Sequence, residues 1–202
     1  MLLLCSAAAA DTLEIVALGD SLTQGYGLPQ GEGFVPQLQD WLSANGVDAT
    51  LVNAGVSGDT TAGGRARVAW SLNDETDAVI VSLGGNDLLR GIAPETAKDN
   101  LDAILAEVAE RGLPALLVGI DAPGNYGSDY EAAFDGMYVE LSQDYGTLLY
   151  PDFFMALRED GVPLAGQGDL MQPDGIHPSA EGVSRVVADI GPWVAELAAR
   201  AR

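Results

Sequence analysis

The chain has a single histidine, His177, in the run "QPDGIHPSAEG", three residues after Asp174 and just before a helical segment. A carboxylate at that spacing can hold one imidazole nitrogen and fix the tautomer, which leaves the other nitrogen to take a proton. Such a base needs a group to deprotonate, and serine is the natural candidate. Ser21 stands in "LGDSLTQGYG", where an apolar stretch gives out. Gly, Asp and Ser are also ordinary turn residues, so taken alone this run reads as a surface turn. Two further runs carry hydrogen-bond donors. Gly58, in "NAGVSGDTTAGG", lies ahead of a helix, where a backbone N–H can face an anion, and Asn86, in "GGNDLLRG", brings a side-chain amide. Singly, each reads as cap or turn chemistry. Jointly, a serine, fixed donors and an Asp-x-x-His pair are what acyl transfer through a serine requires, and losing one donor costs about 3 kcal/mol in barrier.

Other chemistries fit less well. The nucleophile-elbow pattern G-x-S-x-G is absent, since "GVSGDT" and "GDSLT" each misplace a glycine. The glycines after the first strand do not match G-x-G-x-x-G, which argues against a dinucleotide site. Zinc or iron would want more than one His and one Cys, and no EF-hand spacing offers calcium a loop. The expected chemistry therefore uses no cofactor and no metal.

A chain of 202 residues that is 48% apolar and 19% charged suits one domain with a sizeable core. Its 30 acidic residues against 9 basic ones give a formal net charge of −21. This argues against nucleic acid and anionic membrane surfaces as partners, for want of a basic face. The charge reads instead as a device for solubility in a salty or extracellular medium. "MLLLCSAAAA", residues 1–10, is a short apolar run ending in small residues, as at the end of a secretory signal peptide cleaved near Ala9 or Ala10. It is too short to span a bilayer. Leu4 before Cys5 disfavours lipidation, because a lipoprotein signal wants a small residue there. The expected location is periplasmic or secreted.

Elements must then position these residues. Strands are predicted at Leu13–Leu18, Ala49–Ala54, Ala78–Leu83, Ala115–Ile120 and Thr147–Pro151, the middle ones nearly all apolar, as in a parallel sheet covered on both faces. Helices are predicted from Phe34 to a stop at Gly46, from Pro94 to Gly112, from about Tyr130 to Tyr145 and from about Ser179 to Arg200, the last broken or kinked at Gly191-Pro192. Gly161–Ile176 reads as a long loop. The alternation gives an α/β fold with about five parallel strands, and Ser21, Gly58 and Asn86 follow successive strand ends, where open parallel sheets bind and react.

With "GDSL", Gly58, "GGND" and Asp174-x-x-His177 in this order along nearly the whole mature chain, the sequence resembles the SGNH (GDSL) hydrolase family. "AADTLEIVALGDSLTQGYGLP" and "MQPDGIHPSAEG" are most similar to its bacterial periplasmic branch of thioesterases, lysophospholipases and arylesterases. The resemblance implies residues 11–202 as one SGNH hydrolase domain, a three-layer α/β/α flavodoxin-like sandwich. Ser21 would be the nucleophile, His177 the base and Asp174 its orienting acid. Ser21 N–H, Gly58 N–H and the Asn86 side chain would form the oxyanion hole. Leu88 to Ile92 would be a mobile flap and Ile120–Gly127 an acyl-side loop. The implied substrate is a small acyl ester or thioester. Two alternatives remain, a carbohydrate O-deacetylase and a non-catalytic α/β binding module.

Overall fold

Residues 12–158 and 168–202 are described by a computed structural model. The predicted leader and residues 161–167 of the predicted loop lie outside the described residues. Five strands form one parallel sheet: β1 (Leu13–Gly19), β2 (Ala49–Gly55), β3 (Thr76–Ser82), β4 (Ala115–Val118) and β5 (Leu148–Tyr150), in the order β2-β1-β3-β4-β5. β1, β3 and β4 are almost wholly buried, which is why their sequences are nearly continuous apolar runs. β2 lies on an edge and is mostly half-exposed.

Seven α-helices accompany the sheet: α1 (Ser21–Gln24), α2 (Phe34–Ala44), α3 (Thr61–Ser71), α4 (Gly85–Leu89), α5 (Pro94–Glu110), α6 (Ser128–Tyr145) and α7 (Ala180–Arg200). α2 packs on α7, and α3 and α6 both pack on α5. The result is the expected three-layer α/β/α sandwich, with one continuous apolar core on the two faces of the sheet. No helix among the described residues is long and apolar enough to cross a membrane.

In α7 a break at Gly191-Pro192 does not occur. α7 runs unbroken through Gly191 and Pro192. Proline removes a single backbone donor there, while Val183, Val186, Val187, Ile190, Val194 and Leu197 keep one long face buried. Gly191 serves packing rather than breakage: a Cβ at this position would lie 2.5 Å from the Trp41 ring.

Candidate active site

The strand order determines where a crevice opens. The chain leaves β1 for α2 on one face of the sheet and leaves β3 for α5 on the other, and β1 and β3 are neighbours. Between their carboxyl ends the connections diverge, which is where open α/β sheets hold ligands. Ser21 opens α1 directly after β1, and Asn86 lies in α4 directly after β3. Asp20 caps α1, its Oδ1 accepting the Leu22 N–H at 3.0 Å.

His177 reaches this crevice from the loop before α7. Its Nε2 lies 2.8 Å from Ser21 Oγ, and its Nδ1 lies 2.7 Å from Asp174 Oδ2. Asp174 Oδ1 accepts the backbone N–H groups of Ile176 at 2.9 Å and His177 at 3.0 Å. Burial works against charge at Asp174, but these two amides and the imidazole outweigh it and hold the carboxyl at about 2. An acceptor-only carboxylate there requires a proton on Nδ1, so the lone pair of Nε2 faces the serine. The loop is tied down by Gln172, whose Nε2 donates to the carbonyls of Tyr26 (2.9 Å) and Pro178 (3.0 Å). The Tyr26 ring lies 4.8 Å from the imidazole, centroid to centroid.

The three predicted donors come from three strand ends. No acceptor among the described residues takes the N–H of Ser21 or of Gly58. Gly58 adopts φ +84°, a conformation that disfavours any side chain. Its carbonyl accepts from Arg90 Nη2 at 2.8 Å, which ties the end of α4 to the loop after β2. The same two loops are joined by buried Asp87, which accepts the Thr61 N–H (2.8 Å) and hydroxyl (2.7 Å). Ahead of Asn86 the chain turns at Gly84, φ +121°, where a Cβ would meet the Tyr138 hydroxyl at 2.1 Å. That hydroxyl donates to the Leu83 carbonyl at 3.0 Å, and burial pushes it well above the ordinary phenol value, so it remains a donor.

Ser21 and Asn86 line a cleft of about 520 Å³. Leu22, Ile120, Phe154, Met171 and Ile176 supply apolar wall, with Asp121 and Arg158 among the charged groups. Leu88 and Leu89 also line it, as do Ile120–Pro123, so both segments implied to flank an acyl group border the cleft.

Several residues that hold this arrangement escaped the sequence reading. Arg67 binds Asp59 Oδ2 at 2.6 Å and donates to the carbonyls of Ala54 (2.7 Å) and Gly19 (2.8 Å), bracing the ends of β2 and β1 together. The scarcity of cations in so acidic a chain is the one signal that could have singled it out. Arg90 shares that signal, whereas Gln172 and Asp87 carry none, because Tyr26 and Thr61 lie far off in sequence.

Residues 17–185 match the GDSL-like lipase/acylhydrolase family. Esterase TesA of Pseudomonas aeruginosa is 40% identical over 198 residues, spanning 98% of this chain and 94% of that protein. Thioesterase 1/protease 1/lysophospholipase L1 of Escherichia coli is 39% identical over 202 residues, 99% of this chain and 87% of that one. The crystal structure of AlinE4, an SGNH-hydrolase family esterase, superposes with a TM-score of 0.75 at 42% identity, covering 94% of this chain and 98% of that chain. Likeness of this degree along nearly the whole length makes the chain a member of the GDSL-like lipase/acylhydrolase family and an esterase of the SGNH type.

Proposed function

We propose that the chain hydrolyses carboxylic esters and thioesters through an acyl-enzyme formed on Ser21. The observation that carries this reading is the continuous hydrogen-bonded line from Ser21 Oγ through the His177 ring to Asp174. Ser21 Oγ attacks the acyl carbonyl and forms the new C–O bond as its proton passes to His177 Nε2. The carbonyl oxygen becomes an oxyanion facing the N–H groups of Ser21 and Gly58 and the Asn86 amide. The bond to the leaving oxygen or sulfur then breaks, and His177 returns its proton to that atom. Water repeats the sequence on the acyl-serine and releases the acid. Throughout, Asp174 keeps its charge and holds the imidazole in the productive tautomer.

The cleft's apolar wall suits an acyl chain better than a sugar ring, which favours esterase over O-deacetylase. Residues 11–202 act as one hydrolase domain, and the composition of residues 1–10 supports export to the periplasm or medium. Ser21→Ala tests the assignment against p-nitrophenyl butyrate. It should leave the protein folded and lower kcat/KM by on the order of 10⁴-fold or more. A variant retaining a tenth of the rate would remove Ser21 from its role.

A further inference from the structure

We propose that Asp20 is a positioning residue for the oxyanion hole: its carboxylate holds the Asn86 amide with nitrogen, rather than oxygen, toward the cleft, and protonation releases that hold. The inference rests on the reading of Asn86 as an oxyanion donor. An asparagine amide has nearly the same shape after a half-turn about its last bond, but the half-turn replaces a donor with an acceptor. Something must choose between the two. Asp20 Oδ2 lies 3.2 Å from Asn86 Nδ2, and an ionised carboxylate accepts only, so an N–H must face it. One N–H of the amide is thereby used, and the second stays for the oxyanion. Asp20 Oδ1 meanwhile accepts from Leu22, the residue after Ser21, so one carboxylate fixes two of the donors.

The contact is built rather than incidental. Asp20 is 2% exposed, and glycine at position 85 admits it, since a Cβ there would stand 3.3 Å from Oδ2. The charged and titratable groups facing Asp20 are His177, which favours its ionisation, Asp59, which opposes it, and Tyr138. Burial is the largest influence and lifts the carboxyl to about 6. Asp20 therefore takes up a proton in the pH range where imidazoles also do. Once protonated it can donate its O–H to the amide oxygen, a better pairing than an amide N–H against a neutral carboxyl, so the amide turns and a carbonyl then faces the oxyanion.

The test is the pH dependence of kcat/KM for p-nitrophenyl butyrate, from about pH 8 to pH 4.5, in the wild type, Asn86→Ala, Asp20→Asn and the double variant. In the wild type the acid limb should steepen from one proton toward two as pH falls. In each single variant the limb should be shallower than the wild type's by one proton. Near pH 8 Asn86→Ala should lose kcat by on the order of 10²-fold and Asp20→Asn by several-fold, each with KM within about threefold, and the double variant should lose no more than Asn86→Ala. A one-proton limb in the wild type, a two-proton limb surviving in Asn86→Ala, or losses that multiply in the double variant would overturn the proposal. Should Asp20→Asn fail to fold, the Asn86→Ala profile decides alone, with Asp20 intact. A wild type inactive on the ester would bring down the hydrolase reading itself, and this inference with it.

Discussion

Asp174 and Asp20 flank the same serine, and the protein moves their carboxyls in opposite directions. At Asp174 three hydrogen bonds overcome burial and the carboxyl sits at about 2, whereas at Asp20 burial prevails and it sits at about 6. The consequences for folding are opposite too. Asp174 lies below the ordinary aspartate value of about 3.9, so it favours folding above that value and loses its contribution as pH falls toward 2. Asp20 lies above it, so its charge opposes folding near neutrality, and this penalty fades as pH falls through 6 toward 4. Of the two carboxyls, only Asp20 changes charge near pH 6, and Asp174 stays ionised there. The proposed reacting residues were legible in the sequence because their types are rare or their motif dense: one histidine, an Asp three residues before it, and GDSL at a strand end. Asp20 was read only as part of a turn, because nothing local points from residue 20 to residue 86. Gln172 was illegible for the same reason, as its partners are backbone carbonyls that any residue could supply, and Arg67 could have stood out only as a scarce cation.

Elements were easier to read than contacts. All five strands were anticipated to within two residues at each end, because buried parallel strands leave uninterrupted apolar runs. The short helices α1 and α4 were not anticipated. A single turn cannot show an apolar period, and both owe their form to what surrounds them: the Asp20 cap for α1 and the Gly84 turn for α4. Of the kink or break expected at Gly191-Pro192, a break is absent, because Gly191 is needed against Trp41 rather than as a stop. That need gives a prediction of opposite sign to helix propensity. In an isolated helix Gly→Ala would gain about 1 kcal/mol. Here Gly191→Ala pushes a methyl into the Trp41 ring and should cost about 1–3 kcal/mol in urea unfolding. A stabilised variant would show that the α2–α7 contact is looser than described.

At the scale of the whole molecule the dominant fact is charge. The chain carries thirty acids against nine bases, and Arg158 in the cleft is bound to Asp152 at 2.5 Å. A polyanionic substrate must approach against this field, and a neutral one need not. S-Butyryl-N-acetylcysteamine and butyryl-coenzyme A share the acyl group and thioester bond and differ in the charge of the leaving group. As salt rises from about 20 mM to 0.5 M, kcat/KM for the coenzyme A ester should rise several-fold, while the neutral thioester should stay within about twofold. A coenzyme A ester that slows with salt would indicate a cationic docking site and contradict this. The fold also draws Ser21, Asn86, Asp174 and His177 from well-separated stretches of the chain to one strand-end crevice, and the proposed hydrolysis stands on the reactivity of that serine. Covalent labelling of the intact protein with a fluorophosphonate, mapped by peptide mass spectrometry, tests it most directly. One label per chain, on Ser21, with hydrolysis lost in proportion, is the predicted result. A label on another residue, or an active enzyme that takes none, would contradict it.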